Sequence, residues 1–246
     1  MSGGCIDVHA HLGPWFFGPD EGTAEDNLRS MGAHGIDLQL VSGVEAVTYD
    51  ANSGNRALAA AIEEHPRLRG MFVIDPRELD TARAQMDELL PGGLFVGAKI
   101  HTDYGRTAAG SGAMAAALEL CAERGLPVIV HSWGTELLAL ADTVAAVPEV
   151  EVIAGHMGGP DWRLAPEAVS RTERLWLEPG YSQPEADRIR WVLDRVGPER
   201  MLFGTDSTLI DPALSIGAFR AAALSPAEER LIMRENAQAL FDLGTE

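Results

Sequence analysis

Cysteine is nearly missing from this chain. Its 246 residues include two, Cys5 and Cys121, far apart and in no metal-type pair. That scarcity points away from a disulfide framework or a thiolate metal site and predicts a reduced, intracellular protein. Basic residues are also few: 19 Lys and Arg stand against 37 Asp and Glu, a formal charge of −18. Nucleic acid and anionic membrane surfaces both need a basic patch, so neither is an expected partner. An anionic small substrate stays compatible, because a pocket can be locally positive inside an acidic protein. No run of about 18 apolar residues occurs, and no basic segment followed by an apolar one opens the chain, so a soluble, cytoplasmic protein is expected. Also absent are a linker, a low-complexity tract and an internal repeat. No G-x-G-x-x-G follows the first strand-like run, which weakens an open, doubly wound dinucleotide-binding sheet as the alternative architecture.

What is present is a regular alternation. Hydrophobic residues make up 46% of the chain, enough for an ordered core. Eight short runs read as strands: 5–11, 38–42, 70–74, 95–101, 127–131, 151–155, 175–177 and 201–203. Most are continuous in Val, Ile, Leu and Phe, as strands covered on both faces should be. Helical patterns lie between them at 23–34, 55–65, 80–90, 111–124, 135–146, 163–172, 184–196 and 212–222, with a closing helix at 226–240 after Ser225 as N-cap. The stops include Pro66, Pro91-Gly92-Gly93, Gly125, Pro148 and Gly197-Pro198. Strand and helix alternating eight times predict an α/β fold of the (β/α)₈ TIM-barrel type, a single domain over 1–246 with a C-terminal helix.

In such a barrel, chemistry sits at the C-terminal strand ends. Of the seven histidines, His9, His11, His101, His131 and His156 fall at or near those ends, while His34 and His65 lie at helix C-termini. His9 and His11 alternate along the first strand and so share a face, which makes half of a tetrahedral metal site. Asp7 is expected on that face too, either supporting an imidazole or capping backbone N–H groups at the barrel base. Strand four places Lys99 inward, where a charged ammonium is costly without a partner or a modification. Strand eight ends in Asp206 after an apolar run, and the glycines after His156 allow close backbone approach.

The order His-x-His, Lys, His, His and Asp on successive strands resembles the amidohydrolase superfamily. The closest details are Ile6-Asp7-Val8-His9-Ala10-His11, Gly155-His156-Met157-Gly158-Gly159, Glu199-Arg200-Met201-Leu202-Phe203-Gly204-Thr205-Asp206 and the tail Ile232–Phe241. They are similar to the amidohydrolase-related group that includes the aminocarboxymuconate-semialdehyde decarboxylase-like enzymes. The resemblance covers essentially the full chain, which is short for the group, so its βα loops are expected to be trimmed. It implies that His9, His11, His131 and Asp206 hold a divalent metal, with zinc favoured and manganese or iron as alternatives. It further implies that Asp206 serves as the proton acceptor for a water, and that His156 polarises a substrate carbonyl or binds a second metal.

Lys99 divides the possibilities. Carboxylated, it would bridge two metals; cationic, it would hold a substrate carboxylate; a structural ion pair with a nearby acid is the third option. Trp15, Phe16, Tyr104, Trp133 and Trp162 follow strand ends and are candidate pocket walls. His101 is a candidate substrate contact, and Arg106 and Arg163 are candidate anion contacts. The leading expectation is a metal-dependent hydrolase of a small amide, lactone or ester; the alternative is a metal-dependent, non-oxidative decarboxylase of a small unsaturated or aromatic acid. A barrel retained only for binding fits poorly while every expected ligand is present. A small-molecule substrate and a homodimer are the expected partners.

Overall fold

The first strand shows how the sequence builds this molecule. Cys5–Leu12 (β1) is buried along nearly its whole length, and a strand covered on both faces must pair its backbone with neighbours. In the structure, a computed structural model that describes residues 4–17, 22–147, 149–183 and 185–244, it pairs in parallel with β2 (Ile36–Gly43). Then follow β3 (Leu68–Val73), β4 (Phe95–Ile100), β5 (Val128–His131), β6 (Val152–Gly155) and β7 (Leu175–Glu178), each parallel to the one before, in sheet order one to seven.

Helices connect them: α1 (Ala24–His34), α2 (Val44–Thr48), α3 (Ala51–Ile62), α4 (Leu79–Leu89), α5 (Gly112–Glu123), α6 (Glu136–Ala146), α7 (Ala165–Arg171), α8 (Arg188–Val196) and α9 (Pro212–Ala221). The local chemistry is visible in α1. Thr23 and Asp26 form a reciprocal capping box at its start, and Gly35 ends it in the left-handed region at φ 72°. The predicted closing helix is one continuous rod of three pieces, α10 (Pro226–Arg230), a π turn at Leu231–Glu235 and α11 (Asn236–Leu240). The predicted helix 184–196 begins at Arg188; Pro184 lies outside the described residues, as does Pro148, the expected stop after 135–146. Helix α2 has no counterpart among the predicted elements, being a short helical turn that follows β2 directly, with Gly43 as its N-cap.

The strand expected at 201–203 is not a regular one. Met201 makes an isolated bridge to Leu177, and Ser207 one to Ala10. Segment 201–207 nevertheless closes the barrel: Leu202 N–H donates to Leu177 at 2.9 Å, Val8 N–H to Phe203 at 3.0 Å and Asp206 N–H to His9 at 2.7 Å. Asp206 itself lies at φ 59°, which breaks a ladder but lets the chain bend across the barrel mouth. Seven strands and a hydrogen-bonded seam thus replace eight equal strands.

Two apolar layers result. Between sheet and helices runs a large core that includes Val128, Val130, Val152, Ala154, Leu118 and Leu140. Inside the barrel, Ile6, Val8, Leu40, Met71, Ile129, Ile153 and Leu202 meet Ala237 and Phe241 of the closing helix, which plug the base. Cys5 and Cys121 are buried in the outer layer, and burial pushes each thiol up to about 12. Among the described residues, no helix is long and apolar enough to cross a membrane.

Candidate metal centre

Above the plug, polar residues take over. His9, His11, Lys99, His101, His131, His156 and Asp206 line one cavity of about 330 Å³ at the C-terminal mouth, with Trp15, Tyr104, Trp133 and Tyr181 among its walls. The two layers are connected by an irregularity in β1. Its register against β2 slips between Asp7 and Ala10, so Ile6 and Val8 join the inner apolar cluster while His9 and His11 line the mouth above them. A bulge of this kind re-aims side chains.

Asp7 is therefore not on the face of the two imidazoles, as strict alternation would put it. Its carboxylate accepts from His9 N–H at 3.1 Å, Thr205 N–H at 3.0 Å, Thr205 Oγ1 at 2.6 Å and Gln39 Nε2 at 2.9 Å. Gln39 in turn accepts from Asn27 on α1 at 2.7 Å. Asp7 ties the seam to β1 and touches no imidazole. Burial pushes its carboxyl up to about 7, against those donors.

The acid that supports an imidazole is Glu178 at the end of β7. Its Oε2 lies 2.6 Å from His9 Nδ1, and its Oε1 accepts from Gly180 N–H. Gly204 makes room for it, since a Cβ there would fall 2.5 Å from the Glu178 carboxyl carbon. Burial raises this carboxyl to about 7. Ser42 does the corresponding work for His11, with Oγ 2.9 Å from Nδ1. Both imidazoles consequently turn Nε2 toward Asp206, whose Oδ1 is 3.0 Å from His11 Nε2 and 3.6 Å from His9 Nε2. Burial lowers the pKa of His9 and His11, favouring neutral rings with free lone pairs. For Asp206, burial would raise the carboxyl, but the His11 hydrogen bond and the fields of His9 and His156 outweigh it and hold the group well below the usual carboxylate range.

The matching family model is described as Amidohydrolase and spans residues 6–243. The chain belongs to the amidohydrolase family. Its similarity to a dihydroorotase from Thermus aquaticus is 33% identity over 137 residues, which is 54% of this chain and 30% of that protein's length. Among solved structures, it is similar to a putative 2-pyrone-4,6-dicarboxylic acid hydrolase from Pseudomonas putida (18% identity, 99% of both chains, TM-score 0.79). It is similar as well to a dihydroxybenzoic acid decarboxylase from Polaromonas sp. JS666 with bound manganese and 2-nitroresorcinol (19% identity, 99% of this chain and 98% of that one, TM-score 0.78). At these identities the structural likeness speaks for the fold.

The residues of this amidohydrolase fit a divalent metal. His9, His11 and Asp206 each offer a ligand atom, all within 4.8 Å of one another. Among the described residues His131 presents a buried imidazole with no hydrogen-bond partner on either nitrogen, its Nε2 lying 3.4 Å from an Asp103 carboxylate oxygen, an expensive state for a neutral polar group. Two further groups are equally compact. His9, His156 and Glu178 are already tied together by the His9–Glu178 hydrogen bond at 2.6 Å; in His101, Asp103 and His131 the two rings stack 16° from parallel with centroids 4.0 Å apart. Lone pairs lie in the ring planes, so stacked imidazoles cannot converge on one ion.

Lys99 is 1% exposed. Its partner is not an acid, as a structural ion pair requires, but His9 Nε2 at 2.7 Å. Burial lowers the ammonium to about 8. His156 stands at φ 65° with Nδ1 2.6 Å from the Gly180 carbonyl, so that nitrogen carries the proton and Nε2 is left for the cavity.

The loop residues sort unevenly. Trp15 packs edge-on against His11 at 5.0 Å, and Trp133 lies parallel to His131 at 5.6 Å. His101 and Tyr104 line the cavity together, 4.4 Å apart. Arg106 does not line it: the turn in which Arg106 N–H donates to Asp103 and Thr107 N–H to Thr102 leaves the side chain exposed. Arg163 stacks on Trp162 and pairs with Glu185, and Trp162 packs on Trp191; all lie outside the cavity. Phe16 is 75% exposed and packs on Phe17 instead. Glu178 lies one residue beyond the strand expected at 175–177, and so is absent from the candidates the sequence offers. The signal that marked Asp206, a carboxylate closing an apolar run, is present there too.

Proposed function

We propose that this chain is a metal-dependent hydrolase that cleaves a small amide, lactone or ester. The observation that carries the reading is Asp206, a buried carboxylate held well below the usual carboxylate range at the cavity wall, with Oδ1 3.0 Å from His11 Nε2. An ionised acid in that place can take a proton from water, which hydrolysis needs.

A divalent ion, when bound, supplies Lewis acidity and lowers the pKa of water from about 15.7 toward about 7. His9, His11, His131 and Asp206 would hold it, and zinc suits this set of nitrogen and oxygen donors, with manganese or iron as alternatives. The chain's own groups do the rest. Asp206, kept ionised, accepts the proton of the attacking water and returns it to the leaving group. His156, with Nδ1–H committed to Gly180, presents Nε2 to the cavity as an acceptor for a hydrogen of water or substrate. Trp133, Tyr104 and Tyr181 wall the cavity and orient an apolar substrate body.

The second reading is a non-oxidative decarboxylase, and Lys99 is what favours it. If His9 gives Nε2 to an ion, the Lys99 ammonium loses its acceptor and becomes available to a substrate carboxylate or to carboxylation. One experiment separates the two. Purified protein is loaded with zinc or manganese, its metals are counted by elemental analysis with and without bicarbonate, and small lactones, esters, amides and aromatic acids are assayed in water enriched in heavy oxygen. Heavy oxygen in the product is expected. Release of carbon dioxide from an aromatic acid, with no label taken up, would overturn hydrolysis. Two metals per chain only in bicarbonate would assign Lys99 as a bridge.

A further inference from the structure

Arg188, the first residue of α8, is a guanidinium with 3% exposure. Among the described residues its Nη1 has no hydrogen-bond partner, and its Nη2 donates to the Pro179 carbonyl. The guanidinium carbon stands 5.2 Å from the Tyr181 ring centroid. Burial lowers the pKa of this guanidinium although the fields of Glu178 and Glu185 oppose it, and burying a cation against a carbonyl and a ring without a directly paired acid is a poor way to stabilise a fold. Its placement makes better sense through the peptide it holds.

The Pro179 carbonyl and the Gly180 N–H belong to one planar peptide unit. Arg188 binds that plane on the carbonyl side, and Glu178 Oε1 binds it on the N–H side. A charge-assisted donor fixes a carbonyl more firmly than a neutral one. Two groups flanking this unit reach residues of the cavity. The Gly180 carbonyl takes the His156 Nδ1 proton at 2.6 Å, and the second Glu178 oxygen meets His9 Nδ1 at 2.6 Å. Since Gly180 has no side chain to restrict its dihedrals, the direction of its carbonyl depends on how the preceding peptide is held.

We propose that Arg188 is a positioning residue: by clamping the Pro179–Gly180 peptide it selects the Nδ1–H tautomer of His156 and keeps the Glu178 carboxylate under His9. The proposal rests on the reading of His156 as the group that faces the substrate with an Nε2 acceptor, but the tautomer itself is measured without turnover. Nitrogen NMR of the full chain with isotopically labelled histidine reads it directly. In wild type one Nδ1–H tautomer is expected for His156. In R188M it becomes a mixture, kcat falls about tenfold while KM changes by less than about threefold, and R188K restores both. In a H156A background R188M should cost no further kcat, because residues acting as one unit are not additive. A single unchanged Nδ1–H tautomer in R188M would overturn the proposal, as would a full, additive loss in H156A. If H156A leaves kcat intact, the role given to His156 fails and the tautomer still decides the role of Arg188. Should R188M not fold, R188Q, which keeps a neutral donor of shorter reach, is read against R188K by the same two measurements.

Discussion

Glu178 and Lys99 hold opposite sides of the His9 ring, at 2.6 Å from Nδ1 and 2.7 Å from Nε2. A carboxylate behind a ligating imidazole fixes its tautomer and raises its basicity, and losing such a partner commonly costs 10 to 100-fold in metal affinity or activity. Glu178→Gln should therefore weaken zinc binding by about 10 to 100-fold, read by competition with a chromophoric chelator, while circular dichroism stays unchanged. Unaltered affinity would mean that the Glu178 charge does not act through His9. At this scale the sequence was legible where a polar residue ended an apolar run. That is why His9, His11, His131, His156 and Asp206 stood out and are gathered at one cavity. Asp7 was misplaced because a register slip inside a strand leaves no mark in composition. Arg106 and Arg163 were misplaced because the direction of a loop side chain is set by turn hydrogen bonds that composition does not encode.

At the scale of elements, alternation of apolar runs and helix caps located all seven strands, since strands covered on both faces have few other ways to read. The eighth run failed as a strand for a local reason: Gly204 packs on Glu178, and Asp206 adopts a left-handed conformation. Segment 201–207 therefore joins β7 to β1 by scattered hydrogen bonds rather than a ladder, and it also carries Asp206. Elements held by few backbone bonds open most easily. In metal-free protein the amides of Leu202, Thr205 and Asp206 should exchange faster than those of Ile129 and Ile153, and adding zinc should slow the former selectively. Equal protection of the two sets without metal would show the seam to be as firm as the central strands.

For the whole molecule, Asp7 makes stability depend on pH in an unusual direction. Burial raises this acid from 3.8 to about 7, so between those values the folded chain holds a proton that the unfolded chain has lost. Stability then falls as pH rises, because it declines wherever the native state binds more protons. The contribution is fully present below about pH 4 and is gone above about pH 7. Glu178, raised to about 7 as well, pulls the same way, and the lowered imidazoles of His9 and His11 pull the other way, so the effect is read as a difference: in urea denaturation of metal-free protein, Asp7→Asn should gain stability relative to wild type from pH 5 to pH 7.5. A steeper decline in D7N would contradict the assignment. Asp7→Ala is expected to cost more, about 2–4 kcal/mol, by leaving the donors of Thr205, Gln39 and His9 without an acceptor.

The buried cysteines turn these differences into something that can be timed. Cys5 lies on β1, the strand that borders the seam, and Cys121 on α5, farther round the barrel. With both thiols pushed up to about 12, neither reacts until its surroundings open. A thiol-specific reagent is therefore a pair of clocks: Cys5 runs at the pace of the seam and Cys121 at the pace of the rest of the barrel. Metal should slow the first clock more than the second.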